Sequence, residues 1–232
     1  MSITTRLLDI YGRLLDHYGP QGWWPAETPF EMIVGAILTQ AVSWANVEKA
    51  LSNLKAEGVL NPEGLRRISE ERLAELIRPA AYYNVKARKL KAFTEFLYRR
   101  YGGNLQRLFS LELLPLRQEL LSIYGIGPET ADSIILYAAG KPIFVVDAYT
   151  CRIVERLRLG VGSDYRAAQA LFMDNLPHDI QLFQEYHALL VRLGKENCRR
   201  EPRCVGCPLA ALCPTAQFDA GGGMGYNIPG DQ

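Results

Sequence analysis

Leu120-Leu-Ser-Ile-Tyr-Gly-Ile-Gly-Pro-Glu-Thr-Ala-Asp132 is the stretch on which the fold turns. A helical pattern runs into Gly125-Ile-Gly127, and a second helix opens on Pro128, at the position where a missing backbone N–H costs nothing. Gly125 and Gly127 permit a tight turn whose N–H groups lie open beside a helix N-terminus, which suits a phosphate. The preceding residues are helical, so no parallel strand feeds the turn and it is not a dinucleotide fingerprint. Taken alone, the turn reads more often as an ordinary hairpin of two helices.

Working outward, helical periodicity recurs over residues 3–18, 30–40, 43–56, 70–77, 84–100, 111–122, 128–139, 148–158, 164–174 and 180–193, with no sustained alternation of a strand. The expected fold class is all-α. Breaks fall at residues 20–29, 58–64, 102–103 and 140–142, where glycine and proline collect. With 232 residues, 48% hydrophobic and 22% charged, the chain has the composition of an ordinary soluble protein, large enough for one big domain or two small ones. Its first helix carries Leu7, Leu8, Tyr11, Leu14, Leu15 and Tyr18 among charges and does not read as a signal peptide. Glycine or lysine interrupts every apolar stretch short of a membrane span, so the expected location is cytoplasmic. Residues 217–232, rich in glycine, are expected to form a flexible tail.

The net charge of +1 neither requires nor excludes a polyanionic partner. Positive charge does collect locally: Arg78, Lys86, Arg88, Lys89, Lys91, Arg99 and Arg100 stand against the single acid Glu95. The bland reading is a solvated helix face.

Four of the five cysteines form a knot, Cys198-x5-Cys204-x2-Cys207-x5-Cys213, while Cys151 stands apart as a small hydrophobe. In a cytosolic chain such a knot points to metal more than to disulfides. Four thiolates suit a tetrahedral zinc or a [4Fe–4S] cube, and spacing leaves both open. Either would be structural, and Arg199, Arg200 and Arg203 in the first loop would turn positive charge toward phosphate. His17, His178 and His187 show no ligand spacing and read as surface or packing residues. Asp147 ends the apolar run Ile143-Phe-Val-Val and precedes a helix, where an N-cap is the plain reading.

The hairpin, the aspartate and the cysteine knot occur in an order and at spacings that resemble the endonuclease III branch of the helix-hairpin-helix DNA glycosylases, over residues 25–214. The resemblance implies a two-domain fold with a groove: a helical barrel over 25–136, a cluster domain of 1–24 plus 137–216, and a C-terminal [4Fe–4S] loop. It implies Asp147 as the catalytic carboxylate and Gly125, Gly127 and Thr130 as DNA-binding residues. Leu38-Thr-Gln40 matches a segment whose glutamine fills the gap left by a flipped base, and Tyr82 opens Tyr-Tyr-Asn-Val-Lys-Ala-Arg88, where a bulky residue wedges into the opposite strand. The first cysteine loop is one residue shorter than is usual in these relatives. The implied partner is double-stranded DNA containing damaged bases, met by a monomer.

Bifunctional relatives attack the sugar with a lysine after the hairpin, and here that position is Glu129. A carboxylate forms no imine, so the expected enzyme is a monofunctional glycosylase without lyase activity. Trp23-Trp24-Pro25 and Trp44 account for all three tryptophans, and their placement resembles the 3-methyladenine glycosylases of this branch, which also keep an acid in place of the lysine. Core packing is the bland alternative for each indole. Alkylated purines carry positive charge, which indole faces attract. Glu129 would add negative potential near the base or merely favour its helix terminus, and Lys195 would line the pocket or serve packing or phosphate contact. Alternatives are an endonuclease III-like enzyme for oxidised or mismatched bases, or a non-catalytic DNA-binding module. A mismatch adenine enzyme is disfavoured because Val34-Gly-Ala-Ile-Leu38 holds no acid.

Overall fold

The computed structural model describes residues 2–162 and 164–219, and no strand occurs among them. In chain order the helices are α1 (Ile3–Tyr18), α2 (Pro29–Leu38), α3 (Trp44–Ala56), α4 (Pro62–Arg67) and α5 (Glu70–Leu76). They continue with α6 (Tyr83–Tyr101), α7 (Leu105–Phe109), α8 (Leu113–Leu121) and α9 (Pro128–Ser133). Last come α10 (Ala148–Arg156), α11 (Tyr165–Met173), α12 (Ile180–Glu196) and α13 (Pro214–Asp219). The all-α class expected from periodicity is the class observed. No helix among the described residues is long and apolar enough to cross a membrane.

Two compact units are present: Gly22–Val145 with His178–Gln184, and Met1–Gln21 with Val146–Pro177 and the chain from Glu185 on. The first is built around α2. Thr28 caps that helix, its Oγ1 accepting from Glu31 N at 3.1 Å, and Pro29 follows at the first helical position. Phe30, Met32, Ile33, Val34, Ile37 and Leu38 are all buried, so α2, whose one charged residue Glu31 is buried against Lys55, forms the centre, with α3, α6, α9 and the π turn at Ile134–Ala138 packed on it. Each fully buried Ile or Leu contributes about 2 kcal/mol of hydrophobic free energy.

The hairpin forms where the two glycines require it. Helix α8 ends at Leu121, Gly125 takes φ +81°, and α9 begins on Pro128 behind Gly127 in extended conformation. Arg117 of α8 reaches Asp132 of α9 in a two-pronged ion pair, Nε to Oδ1 at 2.7 Å and Nη2 to Oδ2 at 3.1 Å, and Asp132 is 0% exposed.

In the second unit α1 buries Leu7, Ile10 and Leu14, the stripe its periodicity requires. Tyr186 of α12 donates its hydroxyl to Leu7 O at 2.8 Å, and its ring meets Tyr11 at 5.3 Å. Gly194 lets α12 come down onto α10: a Cβ there would lie 2.4 Å from the ring of Tyr149.

Some expectations need correction. The break assigned to residues 58–64 contains the start of α4, and α7 had no periodic signal at all. Both are single turns opened by asparagine caps, Asn61 and Asn104, too short to show a period. The basic run is not simply a solvated face, since Lys86 is buried and Lys91 folds back onto Leu65 O and Arg66 O at 2.9 and 3.0 Å, closing the end of α4. Of the tail, residues 217–219 belong to α13, and residues 220–232 lie outside those described.

Candidate active site

Gln40 sits in the turn after α2 and is engaged at both ends of its amide. Its Nε2 donates to Gly125 O at 3.2 Å and to Thr130 Oγ1 at 2.9 Å, while its Oε1 accepts from Lys89 Nζ. The stem of Lys89 lies against Gly125, where a Cβ would fall 2.3 Å from its Cγ. The structure thus brings together Gln40, Gly125 and Thr130, all named from sequence, and adds Lys89, which the basic run concealed. Tyr82 stands apart from them, 71% exposed at the head of α6 with φ +46°. Gly127 and Glu129 are exposed in the first turn of α9, a favourable end for a carboxylate.

The tryptophans form one aromatic group. Trp24 meets Trp44 edge-on at 5.4 Å, Tyr137 at 5.3 Å and Trp23 at 5.9 Å, with Pro25 exposed beside it. Gly35 of α2 makes the seat, since a Cβ there would stand 3.4 Å from Trp24 Nε1 and 3.6 Å from Trp44 Cη2. Trp44 Nε1 donates to Glu48 Oε1 at 2.8 Å. Trp24 Nε1 is sealed from solvent and has no hydrogen-bond partner among the described residues. A buried indole normally has its N–H paired, and this one does not.

Asp147 is the N-cap of α10, its Oδ1 accepting from Thr150 N at 2.7 Å and Thr150 Oγ1 at 2.9 Å. The plain reading of that aspartate is therefore correct as far as it goes, and it accounts for one oxygen only. Oδ2 lies 3.8 Å from Nε2 of His187, which is 5% exposed, while the aspartate side chain is 11% exposed. Burial pushes the Asp147 carboxyl up, but His187 and the two Thr150 bonds outweigh it and hold the group below its ordinary value. It is an anion at neutral pH. His187 is buried, in keeping with a packing residue, and its approach to Asp147 gives no signal in the sequence because the two are distant along the chain and ligand spacing registers only neighbours. Lys195 is exposed in the last turn of α12, in the unit that does not contain the tryptophans.

Cys198, Cys204, Cys207 and Cys213 all line one small cavity together with Arg156. Among the described residues no three His, Cys, Asp or Glu side chains converge tightly enough to hold a single ion. The loop is held from outside by α10. Arg152 Nε donates to Cys198 O at 2.8 Å, and Arg156 donates to Arg199 O at 2.6 Å, Arg200 O at 2.8 Å and Cys198 Sγ at 3.3 Å.

Residues 34–178 match the family model described as HhH-GPD superfamily base excision DNA repair protein. The chain is 48% identical, over 88% of its length and 94% of the relative's, to a protein of Methanocaldococcus jannaschii named as a DNA repair glycosylase. It is 27% identical to endonuclease III of Bacillus subtilis, covering 82% of each chain. Among solved structures it is similar to the H. pylori 3-methyladenine DNA glycosylase bound to 1,N6-ethenoadenine, with TM-score 0.70 and 28% identity over 84% of this chain and 98% of that one. A non-covalent endonuclease III–DNA complex superposes with TM-score 0.80 at 22% identity, over 96% of this chain and all of that one (100%), which is a likeness of fold.

Proposed function

The chain belongs to the HhH-GPD superfamily of base excision repair proteins and is a DNA glycosylase; from that premise we propose that it is monofunctional and removes alkylated purines such as 3-methyladenine. The observation that carries the substrate class is the aromatic group of Trp23, Trp24, Trp44 and Tyr137, with its orphaned indole N–H and with Glu48 at Trp44. Electron-rich faces beside a carboxylate favour a cationic base, by about 1–2 kcal/mol per contact when water is excluded. The bond to such a base is already weakened, because the base departs neutral, so no strong acid is required to protonate it.

Asp147 supports the chemical half of the reading. Thr150 and His187 fix its carboxylate in the ionised form, suited to stabilise the positive charge that develops on the sugar and to orient a water toward C1′. Glu129 occupies the place where an amine would capture the sugar, and a carboxylate cannot form an imine. Tyr82 and Gln40 are assigned to the opposite strand and the vacated gap, and Gly125, Gly127 and Thr130 to the phosphate side. Lys195 is assigned to the base pocket.

For the cysteine loop we propose a [4Fe–4S] cluster held by Cys198, Cys204, Cys207 and Cys213. Four thiols lining one cavity suit such a cube, with a tetrahedral zinc as the alternative, and the resemblance to the endonuclease III branch favours the cube. The cluster would supply no step of hydrolysis; its contribution is to order a segment that presents Arg199, Arg200 and Arg203.

One panel tests the whole proposal: release of free base from duplexes carrying alkylated, oxidised, deaminated and mismatched bases. Alkylated purines are expected to be released fastest, and Asp147→Asn to slow release by about 100-fold or more while DNA binding persists. Borohydride is expected to trap no covalent complex. Preference for an oxidised or deaminated base would replace the substrate assignment, a trapped complex the monofunctional one, and full activity of Asp147→Asn the catalytic one.

A further inference from the structure

Lys86, in the first turn of α6, is 2% exposed, and its ammonium is aimed at backbone. Nζ donates to Leu38 O at 2.9 Å and to Ala80 O at 2.5 Å. No carboxylate pairs with it among the described residues. A buried charge without a counter-ion is costly, and two carbonyls could be tied by a neutral amide instead. Burial, with Lys89 nearby, brings the group down to about 8, so it remains mostly charged at neutral pH.

What the ammonium holds gives it a purpose. Leu38 ends α2, and two residues on is Gln40, followed by Ala41 at φ +54°. Ala80 ends a short 3₁₀ turn, and next come Ala81 at φ +47° and Tyr82 at φ +46°. Left-handed backbone at non-glycine residues costs roughly 1–2 kcal/mol each and persists only where the surroundings enforce it. Both strained turns are tied, one to three residues upstream of their positive-φ residues, to the same nitrogen. Lys89, one turn further along α6, then grips the amide of Gln40 itself.

We infer that Lys86 is a positioning residue that locks the turns presenting Gln40 and Tyr82 into one rigid pair, so that both side chains meet a lesion duplex together. The inference rests on the assignment of Gln40 to the gap and Tyr82 to the opposite strand. Its test therefore separates the two.

The probe is a duplex with a tetrahydrofuran abasic analogue opposite 2-aminopurine, whose fluorescence rises when it is unstacked, compared with an undamaged duplex. Lys86→Met, which keeps the stem and removes the ammonium, is expected to weaken preference for the abasic duplex about tenfold, the scale of a charged hydrogen bond. It should also lower the fluorescence at saturation, which simple loss of stability would not move. Lys86→Arg is expected to restore part of both. In a Gln40→Ala/Tyr82→Ala background, adding Lys86→Met should cost nothing further, since all three act as a unit.

A full additional loss in that background, or wild-type behaviour of Lys86→Met alone, overturns the inference while leaving the roles of Gln40 and Tyr82 intact. Wild-type preference in Gln40→Ala/Tyr82→Ala overturns those roles and the inference with them. Assays are run below each variant's melting temperature, and Lys86→Leu, which likewise offers no donor to Leu38 O or Ala80 O, carries the same comparison should Lys86→Met not fold.

Discussion

At the scale of single residues, Asp147 combines two duties that can be separated by experiment. One oxygen caps α10, and the other faces His187. Asparagine keeps an acceptor for the cap, so Asp147→Asn removes charge with little loss of helix termination. Because the folded-state carboxyl is held below its ordinary 3.8, its ionised form contributes stability that is fully present above that value. That contribution disappears as pH falls through the lower folded-state value. Urea unfolding should accordingly show wild type losing its margin over Asp147→Asn as pH falls below about 5 toward the lowered folded-state value. A margin that did not change on acidification below about pH 5 would mean that the carboxyl is not held below its ordinary value in the folded state. The aspartate was legible in the sequence, because an acid ending an apolar run ahead of a helix stands out. Its histidine was not, and neither was the burial of Lys86, since a lysine under a helix and one on its surface read alike.

At the scale of elements, the hairpin depends on a contact that its glycines do not announce. Arg117 and Asp132 join α8 to α9 with the acid fully buried, so removing either partner strands a charge. Arg117→Met is expected to cost about 3 kcal/mol in urea unfolding, and Arg117→Met with Asp132→Leu to recover most of it. Equal losses in the single and double variants would show that the pair is not what holds the two helices. The longer helices were legible because a buried stripe repeats over several turns. Helices α4 and α7 offer a single turn each, and what forms them is a cap and, for α4, the reach of Lys91 from another helix. Such information lies outside the segment being read.

For the molecule as a whole, the division of labour between scaffold and metal can be measured. Nearly all the helices lie outside the loop between Cys198 and Cys213, which holds only a short 3₁₀ turn. Purified protein is expected to contain about four iron and four sulfide per chain, and zinc in their place would replace the cube with a simpler site. Stripping the metal should leave far-UV circular dichroism almost unchanged while opening Arg199, Arg200 and Arg203 to trypsin. Unchanged resistance to trypsin would show that the loop is ordered without metal. The sequence pointed to a cysteine-bound metal by spacing, yet said nothing of what positions those cysteines.

Arg152 and Arg156 supply that, and they do so from a helix remote in the chain. A peptide cut to span the four thiols alone would therefore lack the donors for its own carbonyls. Transplanting this segment into another scaffold requires two guanidinium groups to travel with it, one helical turn apart. A search for similar loops guided only by cysteine intervals would not tell those that keep the two guanidinium groups from those that lack them.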